Sequence, residues 1–320
     1  MKTRHSAMLL ALAFTAAAGQ AQDYPTRPVR VIVPYAPGGG SDILARMLAP
    51  RAAADLGQQF VVDNRAGGNS MIGTGLIAKS TPDGYTIGMI DTAFTINPGL
   101  FAKMPYDATR DFAPVTLVAS SPLILVVHPT VPAQSAKELV ALAKAKPGQV
   151  TFGSAGNGTA IHLALEQFRL VAGVELVHVP YKGGGPLVAD LVAGQVNMTI
   201  GTPASLLQFI RANRARALAT TAKKRLVQLP DVPTFTEVGM PGVDAGPYWG
   251  LVAPAGTPAA VVKRLNAVMV KHIRAPDLRE RMAELSFDPV GNAPEEFVAF
   301  VRGDLARWGK IIKDSGAKAE

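Results

Sequence analysis

Short β-branched runs alternate with longer segments whose apolar residues recur at helical spacing, and that alternation predicts an α/β protein with largely parallel strands. Val29–Val33 reads as a strand closed by Pro34. Ile43, Leu44, Met47 and Leu48 then share one helix face, and Gly57 stops that helix. Residues 60–62 give the next strand, residues 72–79 a helix, Pro82-Asp83-Gly84 a turn, and residues 85–90 a third strand. A second series opens near His128. Ser135 and Glu138 have the spacing of a capping box before a helix ended by Pro147-Gly148. Strands at 150–152, 175–179 and 195–200 alternate with helices at 159–171 and 186–192. The C-terminal stretch is more helical: Thr257-Pro258 reads as N-cap and first helical residue, and Phe297, Phe300, Val301, Leu305, Trp308 and Ile312 form one apolar stripe suited to core packing.

The chain has 320 residues, more than one ordinary core, so two domains are expected. Neither a repeat nor a flexible linker separates the two series. They must be joined by short crossings, placed at Ser121 to His128 and Pro241 to Leu251, which can act as a hinge. The expected division is residues 22–124 with 248–320 as domain 1 and residues 125–247 as domain 2.

The N-terminus changes the picture of where the chain works. Lys2 and Arg4 precede an uncharged apolar run from Met8 to Ala18, and Gly19-Gln20-Ala21 supplies small residues for cleavage. This is the layout of a secretory signal peptide over residues 1–21, too short to span a membrane comfortably, with the mature chain starting at Gln22. The chain has no cysteine, which excludes disulfides, thiolate metal sites and a cysteine nucleophile. A periplasmic address follows as the expectation. Removing the signal, with its two basic residues and no acids, leaves 30 − 24 = +6, a modest charge that favours anionic solutes.

Three glycine-rich loops each follow a strand and open a helix: Pro37-Gly38-Gly39-Gly40-Ser41-Asp42, Gly153-Ser154-Ala155-Gly156-Asn157-Gly158-Thr159, and Lys182-Gly183-Gly184-Gly185-Pro186. Glycine lets backbone approach a ligand closely, and a helix N-terminus presents unpaired N–H groups and the positive end of its dipole. Together they form an anion site without a charged side chain. Tight turns alone explain any single loop. Three at equivalent strand ends, split across two domains, point to a ligand cleft. Gly153 and Gly158 have P-loop spacing, yet Thr159-Ala160 stands where Lys-Ser/Thr is required, and Gly156-x-Gly158 is followed by Ile161 rather than glycine. Nucleotide readings therefore fail, and a carboxylate or small oxyanion remains.

An enzyme reading finds little support. His128, His162 and His178 form no metal-ligand pair, and Phe152 stands where a nucleophile elbow before Ser154 needs glycine. A Ser154/His162 hydrolase is the weaker alternative, so the chain is expected not to be an enzyme and to need no cofactor or metal. The basic stretch Arg211, Arg214, Arg216, Lys223, Lys224 and Arg225 lacks interleaved aromatic residues, which argues against nucleic acid and for a solvated face or a docking face.

An ordered set of segments resembles the Bug receptors, the extracytoplasmic solute-binding proteins of tripartite tricarboxylate transporters. It comprises Val33-Pro34-Tyr35-Ala36-Pro37-Gly38-Gly39 with Asp42, Asp63-Asn64-Arg65 with Gly67 and Gly73, and Pro82-Asp83-Gly84-Tyr85-Thr86. Ile96-Asn97-Pro98, Pro105-Tyr106-Asp107, Asp111 to Val115, the Gly153–Thr159 loop with His162, Val179 to Gly183 and Leu229 to Thr234 continue it over essentially the whole mature chain. The resemblance implies a two-domain, type II periplasmic-binding-protein (Venus flytrap) fold. It also implies capture of a small mono-, di- or tricarboxylate for delivery to membrane transporter subunits, by a monomer. Carried onto this sequence, it places Tyr35, Gly38, Gly39 and Asp42 on one wall and Ser154, Gly158, Thr159 and His162 on the other, with Asp42 equally suited to be a first-turn helix acid stabilised by the dipole. Asn157, Tyr181 and Gly183 accompany the second wall. Two places depart from the family's pattern: Asn69 and Ser70 add polar side chains after Arg65, and Gly201-Thr202 stands where relatives often carry an acid. The lost acid disfavours an amino-acid ligand, and Thr202 joins the expected site. Docking on a signalling partner is the alternative role.

Overall fold

The computed structural model describes residues 24–316 apart from 36, 182 and 183. The expected signal segment, Lys182 and Gly183 lie outside the described residues.

The first sheet is built from β1 (Val29–Val33), β2 (Phe60–Asn64), β3 (Thr86–Asp91), β4 (Phe112–Ser120), β10 (Tyr248–Pro254) and β11 (Asp288–Pro289), in the order β11-β4-β10-β3-β1-β2. The second contains β5 (Ile124–Val127), β6 (Thr151–Ser154), β7 (Val177–Pro180), β8 (Met198–Gly201) and β9 (Arg216–Thr220), in the order β7-β6-β8-β5-β9. The helices are α1 (Gly40–Leu56), α2 (Met71–Ala78), α3 (Ala93–Leu100), α4 (Ala136–Ala145), α5 (Ala160–Ala172), α6 (Gly184–Val192), α7 (Pro203–Arg211), α8 (Ala259–Ile273), α9 (Pro276–Glu284) and α10 (Pro294–Ser315). This is the expected two-domain α/β architecture, with one sheet in each lobe.

Both sheets are mixed rather than largely parallel. β1 pairs in parallel with β2 and β3, and β6 with β7 and β8, whereas β10 and β5 run antiparallel to their neighbours. The antiparallel strands flank the crossings. β5 lies wholly inside the expected outgoing crossing, and β10 starts within the returning one. Ile124-Leu125-Val126-Val127 has no alternation because both of its faces are covered: Leu125 and Val127 join one core cluster, Ile124 and Val126 the other. In the first lobe, Val29, Val31 and Val33 face the cluster holding Leu44 and Leu265, while Ile32 faces the one holding Ile77 and Phe297.

The C-terminal helix makes a third connection. Phe297 and Val301 of α10 pack in the first lobe's core, and two turns later Trp308, Ile311 and Ile312 pack with Ile96 and with Leu163 and Phe168 of the second. Phe300 of the expected stripe is exposed, and Ile311 takes its place in the core. The basic stretch is also not uniformly solvated. Arg216 lies in β9 and donates to the carbonyls of Pro129, Val131 and Ala133, fixing the loop that follows β5.

Candidate functional site

In each sheet the chain goes from a central strand first to one neighbour and later to the other. In the first lobe this reversal lies between β2-β1 and β3, and in the second between β7-β6 and β8. A crevice opens at the carboxyl ends of strands on either side of such a reversal. The segment after β1 carries Tyr35 and the first glycine loop, β3 ends in Asp91, β6 ends in Ser154 and the second glycine loop, and β8 leads to Thr202.

The first loop is held from below. Asp42 is buried in the first turn of α1, and its Oδ2 accepts from the Gly38 N–H at 2.9 Å. Arg46 Nε donates to both carboxylate oxygens, and Asn64 Nδ2 donates to Oδ1 and to the Tyr35 carbonyl. Burial works to raise this carboxyl, but Arg46, Gly38 and Asn64 outweigh it and hold it below the usual carboxylate range. Asp42 thus spends its acceptors on the loop itself. Gly38 adopts φ +90°, and ideal Cβ atoms on Gly38 and Gly39 would meet open space. On Gly40 a Cβ would come within 2.6 Å of the Trp249 ring, so that glycine is needed for packing and its two neighbours for openness.

Tyr35 crosses the switch point, donating from its hydroxyl to Asp91 Oδ1 at 2.7 Å. The Ala93 N–H donates to the same oxygen. Burial, opposed by these two hydrogen bonds, pushes the Asp91 carboxyl up to about 6. Burial and the Asp91 charge hold the Tyr35 phenol well above its ordinary value. Two polar atoms nearby, Ser70 Oγ and Tyr106 Oη, are buried without a hydrogen-bond partner. Asn69 and Ser70 both have positive φ, and Asn69 is clamped by reciprocal bonds with the buried Asn97.

In the second lobe, Thr159 caps α5: its hydroxyl accepts from the His162 N–H and donates to the Gly156 carbonyl. His162 Nδ1 in turn accepts from the Gly158 N–H at 3.1 Å. The His162 ring stacks on His178, with centroids 4.2 Å apart, and burial followed by the charges of His178 and Arg169 lowers it to about 4. Ser154 Oγ lies 2.6 Å from His178 Nε2, so the serine of the weaker hydrolase reading pairs with His178 rather than His162, and its residue is fully buried. Tyr181 donates to Asp190, and burial, followed by that bond and the Asp190 charge, raises the phenol to about 12. Thr202 is the N-cap of α7, its hydroxyl 3.2 Å from Ser205 Oγ. At Gly201 a Cβ would come within 2.8 Å of Leu206 Cδ1, so a side chain there requires the leucine to shift.

The two lobes meet at these loops. An ideal Cβ on Gly158 would fall 2.4 Å from Leu100 Cδ1 and 3.9 Å from Asn69 Nδ2, which brings the second loop against the first lobe's Asn69 turn. Asn157 and His162 also line a cavity of about 500 Å³ that reaches Arg169, Glu175 and the end of α10. Sequence reasoning missed Asp91 and Trp249, and it named Asn97 and His178 without placing them in the site. Asp91 ends a strand before a helix as the three loops do, but without the glycines that drew attention to them. Among the described residues, no cluster of His, Cys, Asp or Glu could hold a metal ion, and no helix is long and apolar enough to cross a membrane.

Residues 44–317 match the family model described as "Tripartite tricarboxylate transporter family receptor". The UPF0065 protein of the tcbD–tcbE intergenic region of Pseudomonas sp. strain P51 is 42% identical over 95% of this chain and 91% of its own. Protein BugT of Bordetella pertussis is 36% identical over 97% and 96%. Among solved structures, R. palustris Rpa4515 with adipate superposes with a TM-score of 0.82 at 34% identity, covering 92% of this chain and 99% of that one. MatC from Rhodopseudomonas palustris with bound malate gives 0.78 at 29% identity, covering 90% and 100%.

Proposed function

The chain belongs to the tripartite tricarboxylate transporter receptor family, and on that premise we propose that it captures a small dicarboxylate between its lobes, in the periplasm, for delivery to a membrane transporter. The observation that carries this reading is the pair of glycine loops at matching switch points, each opening a helix, with Gly158 resting against the turn of Asn69. Such a cleft can grip the two ends of a ligand by backbone N–H groups at helix starts. The similar proteins with adipate and malate are the reason for choosing a dicarboxylate.

Gly38, Gly39, Ser70, Asn157 and Gly158 are assigned to the ligand. Asp42, Asn69, Thr159 and His162 hold those loops in shape, each through a bond already described. Tyr35 reaches the ligand beside Asp91, Tyr181 and Thr202 frame the second wall, and Gly183 stays assigned to the ligand from the sequence. The chain acts as a monomer of two lobes, divided close to residues 124 and 247, after export and removal of residues 1–21. It acts as a receptor rather than an enzyme: Ser154 is fully buried, and its hydroxyl is tied to the Gly156 carbonyl and N–H of its own loop.

A thermal-shift panel of mono-, di- and tricarboxylates, amino acids, nucleotides and sugars tests the reading. A ligand binding only the folded state at a hundredfold excess over Kd stabilises by about 2.7 kcal/mol. One or a few carboxylates should give that shift. A nucleotide or a sugar as the sole hit would refute it.

A further inference from the structure

Asp91 is a carboxyl group at the base of the proposed cleft with no cation to meet it. Both of its hydrogen bonds, from Tyr35 Oη and the Ala93 N–H, fall on Oδ1, and among the described residues Oδ2 accepts none. The groups that face it are hydroxyls and carboxyls. Tyr35 lies after β1, Tyr106 in the loop after α3, and Tyr248 on β10. Behind Tyr248, Asp304 of α10 is tied to Thr95 and Trp308. No lysine, arginine or histidine forms an ion pair with Asp91 among the described residues. Ser70 Oγ, beside the Tyr35 hydroxyl, and Tyr106 Oη, beside Asn97, are further buried hydroxyls that complete no hydrogen bond of normal geometry. This is a polar nook prepared for a ligand group, and it holds an acid.

We propose that Asp91 is a specificity-determining residue that meets one carboxylate of the ligand as a neutral carboxyl, donating from Oδ2, so that capture takes up a proton. This rests on the carboxylate reading above. Two carboxylates sharing a low-dielectric site cannot both be ionised cheaply, so one retains a proton. The free protein is poised for this, since burial already brings the group to about 6. Ligand arrival adds a like charge and raises it further. Between the free and bound values the complex holds more protons than the free protein, so affinity falls as pH rises. Three neighbouring groups stay out of this window: Asp42 is held below the usual carboxylate range, His162 is at about 4, and Tyr35 lies well above its ordinary value.

The test is calorimetric titration of the full mature chain with adipate, succinate, malate and L-aspartate from pH 6.5 to 8, in buffers of different ionisation heat. Ligand carboxylates of ordinary pKa, about 4, are ionised throughout this range. For wild type, proton uptake should approach one and affinity should fall by up to about tenfold per pH unit. Asp91→Asn keeps an acceptor for Tyr35 and a donor for the ligand, so its affinity should be flat with pH and exceed wild type at pH 8. Tyr35→Phe removes one of the bonds that favour the Asp91 anion and should move the fall in affinity to higher pH. This second variant decides the matter should Asp91→Asn fail to fold. Carboxylate binding without proton uptake, or pH dependence unchanged in the variants, overturns the role of Asp91 while leaving the receptor reading intact. Tighter binding of L-aspartate than of succinate, lost in Asp91→Asn, also overturns it, because Asp91 would then be an anion meeting an amine. Failure of every carboxylate to bind wild type defeats the receptor reading and this proposal with it.

Discussion

Gly158 and Leu100 meet where the two lobes join: a single Cβ on the glycine would stand 2.4 Å from the leucine's Cδ1. Gly158 also has φ +71°, a conformation that an L side chain resists. Gly158→Ala should therefore hold the lobes apart as well as strain the loop. The expected result is at least about tenfold weaker binding of an identified carboxylate, the effect of roughly 1.4 kcal/mol, and a larger radius of gyration in small-angle scattering at saturation. Adding Leu100→Ala should recover part of the loss, because it removes the steric partner and leaves the backbone strain. Equal losses in the single and double variants would show that the contact is not what the cleft depends on.

Adjacent glycines of the first loop should behave differently. Gly39 precedes α1 in an extended conformation, φ −82° and ψ 171°, open to any residue, and its missing Cβ faces empty space. Gly40 abuts the Trp249 ring. Gly39→Val should keep the melting temperature within a few degrees of wild type and abolish binding by filling the ligand's place. Gly40→Val should lower the melting temperature as well, since overpacking costs about 1–3 kcal/mol. Thermal unfolding beside calorimetry separates the two. A destabilised Gly39→Val with normal residual binding would refute the assignment.

Thr159→Ala tests a side chain whose task differs from the one its place in the motif implies. Its hydroxyl proton goes to the Gly156 carbonyl and its lone pair to the His162 N–H, so it shapes the loop rather than reaching a ligand. Loss of such a cap costs about 1 kcal/mol of stability. The expected variant unfolds at lower denaturant concentration with an unchanged m-value. Its binding, measured well below the transition, should weaken less than that of Gly158→Ala.

The same distinction marks what the chain reveals in one dimension. The glycine loops were legible because each is a local pattern, a strand end followed by residues without Cβ and a helix start. The lobes were legible through the alternation of elements. β5 was hidden inside a crossing because Ile124 to Val127 is buried on both faces and shows no period. Asp91 was hidden because its meaning depends on Tyr35, fifty-six residues away, and on the lack of a cation nearby, which no local pattern records. Asp42 looked like a ligand residue from its motif, and only its bonds to Gly38, Arg46 and Asn64 reveal a carboxylate already in use.

His162 gives a prediction about pH and stability. Its Nδ1 accepts from the Gly158 N–H, so that nitrogen must be unprotonated for the second loop to keep its shape. The folded protein holds the ring at about 4, through burial first and then through His178 and Arg169, against about 6.5 in an unfolded chain. A depressed histidine favours the neutral form in the fold. Its contribution is complete above pH 6.5 and is lost as pH falls toward 4, because the unfolded chain binds the proton earlier. The loss amounts to about 3 kcal/mol, from about 1.4 kcal/mol per pH unit. His162→Asn offers Gly158 an oxygen acceptor that does not titrate. Removing the ring from its stack on His178 should lower stability at every pH, but the fall in melting temperature between pH 7 and pH 4.5 should be smaller than in wild type. All other acids and bases are shared, so the difference between the two slopes reports this ring together with its coupling to His178 and Glu166. Parallel pH profiles would mean that Gly158 does not depend on a neutral His162 and that acid acts on the fold elsewhere.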